Sequence, residues 1–187
     1  MVVSTLLDEY LLVAKELFDK NLINIGLGSI SMKLKADKMI INKKNKHVSE
    51  DDFIKTLHIL REDMAWEEAT EDVKIHSKIY EQVPSAKAIV HIFPKNVISY
   101  TLKHHKVFKP LDFLAQENIG NINIIEINSI QEWHENKEFI IAKELKHKDI
   151  VIIKGHSAYV KGRDLREILK KSFILENSAY MLLNSSN

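Results

Sequence analysis

The sequence predicts a mixed α/β fold built in layers. Three observations lead there. Segments with helical spacing of apolar residues alternate along the chain with short runs rich in Ile and Val. Two of these runs are followed so closely by another that they read as hairpins, one early and one late. And 187 residues, 45% of them hydrophobic and 28% charged, suffice for one core in one domain spanning 1–187.

Taken in order, Leu6, Leu7, Tyr10, Leu11, Ala14, Leu17 and Phe18 recur at helical intervals behind Ser4 as a cap, which predicts an amphipathic helix to about Lys20. Two glycines, Gly26 and Gly28, then precede an alternating run through Ile30, Met32 and Leu34, and Ala36-Asp37 turns it into a second strand. Ser49 followed by Glu50, Asp51 and Asp52 reads as the capped, acidic start of a short helix ending near Leu60. Thr70, with Glu71 and Asp72 after it, predicts a further helix that stops before Pro84. An apolar strand over 86–93 follows, and Pro94 opens a helix to about Leu102. The run 121–127 is a strand and Ser129 to Lys146 a helix; 149–162 is two strands joined tightly at Gly155-His156. A helix from Arg163 to about Leu183 closes the pattern, with a frayed tail from Asn184.

Composition removes several function classes. With 27 basic and 26 acidic side chains, no net field recruits nucleic acid or an acidic membrane surface. No apolar run approaches the ~18 residues that a bilayer requires. The first residues form an acidic amphipathic segment without a basic leader, so the expected compartment is the cytoplasm. Cysteine is absent, so a bound metal would rest on imidazole and carboxylate ligands.

The nine histidines therefore carry the question of function. His91 and His156 each end an apolar strand, where a rigid scaffold aims side chains into crevices. Each also has a plain structural account, as a histidine satisfied by a nearby carbonyl. Asp72 stands at a helix start, where the dipole alone explains a carboxylate. His76, one turn later, reads as its partner on the helix surface. His47, His58, His104, His105, His134 and His147 lie among charged residues and read as solvated or structural.

The order of motifs resembles the class II aldolase/adducin family, which includes fuculose-phosphate and ribulose-phosphate aldolases and epimerases and the non-catalytic head of adducin. Gly28-Ser29-Ile30-Ser31 stands where the family has "GNxS", and Ile40-Ile41-Asn42-Lys43-Lys44-Asn45 where it has a Thr/Ser-Gly turn. Ser49-Glu50-Asp51-Asp52-Phe53 matches "(T/S)-x-DDL", and residues 70–80 match "(S/T)SE-x-x-x-H-x-x-IY". "AIVHIFP" at 88–94 replaces "AIVHxHP"; Gly155-His156-Ser157 and Gly162 to Glu167 fit "NHGxxxxGxxLxEA", and Glu176 falls on the closing-helix glutamate.

This resemblance implies a three-layer α/β/α sandwich around a mixed, mostly antiparallel sheet. It implies Zn²⁺ or another divalent metal held by His91, His156 and Asp72, with Asp72 also the catalytic acid/base, and substrate contacts from Gly28, Ser29, Asn42 and Thr70. The implied activity is metal-dependent aldol cleavage, epimerisation or dehydration of a small sugar or sugar phosphate in a homotetramer. Three departures point instead to a binding or assembly domain: Phe93 replaces a ligating histidine, Glu71 replaces a serine, and Phe113 or Leu114 falls where a neighbouring subunit's tyrosine is expected.

Overall fold

Successive residues of a strand face opposite ways, and the apolar strands of this chain feed a separate core on each side of one sheet. The computed structural model describes residues 2–103 and 106–185. Its elements are α1 (Val2–Asp19), β1 (Ser29–Lys35), β2 (Lys38–Asn42), β3 (Ile54–His58), α2 (Ala65–Glu68), α3 (Val73–Gln82), β4 (Ala88–Ile92), α4 (Lys95–Lys103), β5 (Val107–Phe108), α5 (Phe113–Asn118), β6 (Ile122–Ile125), α6 (Ile130–Leu145), β7 (Ile150–Ile153), β8 (Ser157–Gly162) and α7 (Leu165–Asn184). The strands form one sheet in the order β3-β2-β1-β4-β8-β7-β6-β5, antiparallel throughout except for the β6–β7 pair.

One face packs Ile30, Val90, Ile92, Ala158 and Val160 against α1, α4 and α7. The other packs Met39, Ile41, Ile89, Val151 and Tyr159 against α2, α3 and α6. This is the expected sandwich with its mixed, mostly antiparallel sheet. No helix among the described residues is long and apolar enough to cross a membrane.

Several expected elements shift. α1 is already helical at Val2, so Ser4 lies inside it and not at its cap; Asn21, at φ 55°, stops it in the left-handed region. The helix expected from Ser49 to Leu60 is a turn, closed by the His47 amide donating to Glu50 at 2.7 Å, followed by β3. Phe53, Leu57 and Ile59 are buried at near-alternate positions, and pairing with β2 satisfies their backbone, which outweighs the local capping signal. Likewise α3 begins at Val73 with Asp72 in the cap position; Thr70 Oγ1 only accepts a long bond from the Asp72 amide, 3.5 Å. The short elements α2, β5 and α5 carry no periodic signal strong enough to predict. His104, His105 and the end of the expected tail, Ser186-Asn187, lie outside the described residues.

Glu176 on α7 shows how one side chain fixes the start of α4. Its carboxylate accepts from the Asn96 amide at 3.0 Å, the Asn96 side chain at 2.8 Å and the Val97 amide at 3.3 Å, which satisfies free donors in the first turn of α4. Glu176→Ala is expected to lower stability by about 2 kcal/mol, since bonds to a charged acceptor are lost and the amides stay half-buried. Urea unfolding of the variant measures this; a change under about 0.5 kcal/mol would show that water replaces the carboxylate without loss.

Candidate active site

Strand register assembles the site. Ser29 on β1 lies directly opposite His91 on β4, and His91 lies opposite Tyr159 on β8, so three side chains form one row across adjacent strands. The pleat sends all three to the α3 face, and Asp72 stands at the head of α3 above them. Ser29 Oγ donates to Asp72 Oδ2 at 2.7 Å, and Tyr159 donates to Asp72 Oδ1 at 3.0 Å. His91 Nδ1 lies 2.7 Å from Oδ2. The His91 ring stacks on Tyr159, with centroids 4.0 Å apart and planes 6° from parallel.

Three hydrogen-bonding side chains thus converge on one half-buried carboxylate. Burial alone would raise the Asp72 carboxyl, but the charge and hydrogen bond of the adjoining imidazole, helped by Ser29, reverse this and hold it well below the usual carboxylate range. An ionised carboxylate only accepts, so the proton between the two groups sits on His91 Nδ1. That leaves the other ring nitrogen, Nε2. That atom is buried without a hydrogen-bond partner. Burial and the charge of Asp72 push the Tyr159 hydroxyl up, so it remains a donor. Burial also lowers His156, as does His91.

A cavity of about 270 Å³ opens over this row, walled by Asp72, His91, Phe93, His156 and Tyr159. Of the residues expected to contact substrate, Gly28, Asn42 and Thr70 line it. Ser29 is fully buried, and its hydroxyl is committed to Asp72 and to His76 Nε2 at 2.8 Å. Asn42 uses its carbonyl oxygen to accept from the Ile30 amide at 2.8 Å, which ties β2 to β1. Lys43, Lys44, Lys46 and Lys137 bring positive charge to the rim, although Lys43 and Lys46 are held by Asp52, Glu50 and Glu68. Glu71 faces the same space.

Gly28 works through its backbone. Its φ is 87°, and a Cβ there would meet the His91 carbonyl and Ile23 Cγ2, both at 2.7 Å. Gly28→Ala is therefore expected to cost about 2 kcal/mol and displace the end of β4. An unchanged melting temperature would refute that strain.

The described residues do not present the set of three ligands that a resident metal ion requires. Among the described residues, no three histidine, aspartate or glutamate side chains are arranged to hold one. The Phe93 ring adjoins both imidazoles, at 4.7 Å from His91 and 5.6 Å from His156, where a third ligating side chain would be needed. Elemental analysis of unchelated protein is expected to find no stoichiometric zinc, and Phe93→His to gain it. Zinc at one ion per chain in the unaltered protein would reverse this conclusion.

Two members of the site emerge only in the fold. Tyr159 sits two residues past Ser157 on the same strand face. His76 is no surface partner of Asp72: it is fully buried and bonded to Ser29 and Ser31. The serines at 29 and 31, two apart on one strand face, were the available signal.

In solved structures the chain resembles L-fuculose-1-phosphate aldolase from Thermus thermophilus, at 21% identity and TM-score 0.86, with 97% of this chain and 95% of that one covered. It also resembles YgbL from Klebsiella pneumoniae, a putative aldolase/epimerase/decarboxylase, at 17% identity and TM-score 0.85 over 98% and 91%. A sugar-phosphate aldolase from Thermotoga maritima aligns at 22% identity and TM-score 0.76 over 98% and 96%. No curated protein sequence matches the chain. Residues 8–183 match the family profile "Class II Aldolase and Adducin N-terminal domain", and the chain belongs to that family.

Proposed function

We propose that this chain binds a small phosphorylated or otherwise anionic sugar-like carbonyl compound and transfers a proton at the carbon or hydroxyl next to its carbonyl. That step is common to aldol cleavage, epimerisation and dehydration. The observation that carries the reading is the buried, unpartnered Nε2 of His91, backed by an ionised Asp72 at the cavity wall. A carboxylate behind an imidazole fixes its tautomer and stabilises the imidazolium formed when the far nitrogen takes a proton.

In this reading Asp72 orients and His91 is the base, whereas a ligating Asp72 would be poorly free for either role. Lys44 and Lys137 offset Glu71 and favour an anionic ligand, while Gly28, Asn42 and Thr70 shape the wall that receives it. His156, whose ring lies 6.2 Å from that of His91 on the same cavity wall, meets the carbonyl or hydroxyl oxygen in this reading. The neighbours named as sugar-phosphate aldolases support this substrate class. Self-association, as a homotetramer, and a cytoplasmic setting belong to the same proposal.

Phe93 supports a second reading, a binding or assembly domain that keeps the fold without turnover. Incubation with phosphorylated ketoses and dihydroxyacetone phosphate in D₂O, followed by proton NMR, separates the two. Protein-dependent exchange of the carbon-bound proton is expected. Exchange no faster than in buffer, across a panel of phosphorylated ketones, would leave the binding domain.

A further inference from the structure

Behind Asp72, on the side away from the cavity, a file of buried polar side chains crosses the packing between the sheet and α3. Tyr80 Oη lies 2.9 Å from Ser31 Oγ, Ser31 Oγ 2.6 Å from His76 Nδ1, and His76 Nε2 2.8 Å from Ser29 Oγ. Ser29 then donates to Asp72 at 2.7 Å. Ser29, Ser31 and His76 are almost entirely inaccessible to water, so none exchanges its partners for solvent without opening the core.

The charge on Asp72 sets the direction of every bond in the file. Ser29 has one proton and directs it to the carboxylate, so its lone pair must receive a proton from His76 Nε2. His76 is neutral, since burial lowers it to about 4. A neutral ring that donates from Nε2 is bare at Nδ1, which accepts from Ser31; Ser31 in turn accepts from Tyr80. All donors point toward the site.

We infer that His76 is a positioning residue: as the Nε2–H tautomer it orients the Ser29 hydroxyl toward Asp72, which keeps Asp72 the acceptor for His91 Nδ1. The inference deepens the proton-transfer reading and rests on it for its catalytic meaning, while its geometry is tested separately. His76 never touches the ligand; it acts through Ser29.

Nitrogen-15 NMR of labelled whole protein near neutral pH gives the first test. The His76 ring is expected as a single Nε2–H tautomer, and the His91 Nδ1 proton as a low-field resonance. A His76 ring that is protonated at Nδ1, or averages between tautomers, would overturn the inference. Substitution gives the second. A glutamine amide reaches the Nε2 position and an asparagine amide only that of Nδ1. His76→Gln is therefore expected to keep the low-field His91 resonance, and His76→Asn to lose or shift it.

Equal behaviour of the two variants would make His76 mere packing and refute the inference. Should either fail to fold, Ser29→Ala decides: loss of the Nε2 acceptor should release His76 to the Nδ1–H form, and a His76 ring left unchanged sinks the proposal. In the D₂O exchange assay His76→Asn should be about 10- to 100-fold slower than His76→Gln. Absence of exchange in the unaltered protein refutes the functional reading alone, and the NMR outcomes still decide the positioning role.

Discussion

His91→Asn is expected to slow carbon–hydrogen exchange in a phosphorylated ketone by roughly 10²- to 10⁴-fold, the range that a positioned general base supplies. Asparagine places an amide nitrogen at the Nδ1 position, which faces Asp72 at 2.7 Å, so the carboxylate keeps a donor and the fold is retained. What it removes is the basic lone pair at Nε2. Asp72→Asn is expected to act in the same direction by a different route. The amide no longer demands a proton from His91 Nδ1, so the ring is free to place its proton on Nε2 and lose its basic face toward the ligand. The two losses should not add, because the residues form one unit. The measurement is exchange rate by proton NMR, with unfolding followed in parallel. A His91→Asn protein that folds and exchanges at the unaltered rate would remove His91 from the chemistry.

Acid should destabilise the protein before its carboxylates titrate. His76 is lowered from 6.5 to about 4 by burial, so between those values the unfolded chain binds a proton that the folded chain refuses. Stability therefore rises with pH across this window and is lost as pH falls through it. At 1.36 kcal/mol for each pH unit, the loss at the bottom of the window is on the order of 3 kcal/mol. His156, also lowered, adds a smaller effect of the same sign. Asp72 and Glu167 behave differently. Their folded-state carboxyls lie below the ordinary value, Glu167 at about 2, so the stability they confer is complete above ~4 and lost only below it. Urea unfolding from pH 7 to 4 is expected to show the fall in the unaltered protein and most of it abolished in His76→Gln, whose amide does not titrate. Parallel curves for the two would assign the acid sensitivity elsewhere.

Much of the scaffold was legible because its signals are local. The β1–β2 hairpin, α6 with Ser129 as its cap and the apolar core strands are written in periodicity and turn residues. β3 was not. Its Ser49-Glu50-Asp51-Asp52 lead-in imitates a helix start, and only the open edge of β2 makes extended pairing the better use of Phe53 to Ile59. Asp72 and His91 were readable as candidates, each with an equally good ordinary explanation, since a single residue at a strand or helix end carries little information.

Apolar spacing along the chain sets which face of each strand and helix is buried and hence the layered arrangement, and the order of motifs marks the family to which the chain belongs. Which polar groups meet depends on strand register and packing. The register of β1, β4 and β8 brings residues 29, 91 and 159 into one row, though they lie far apart in the chain. Burial then decides their chemistry: away from water, a hydroxyl or imidazole must take whatever partner the packing supplies, so Asp72 is claimed by Ser29, His91 and Tyr159, and His76 by two serines.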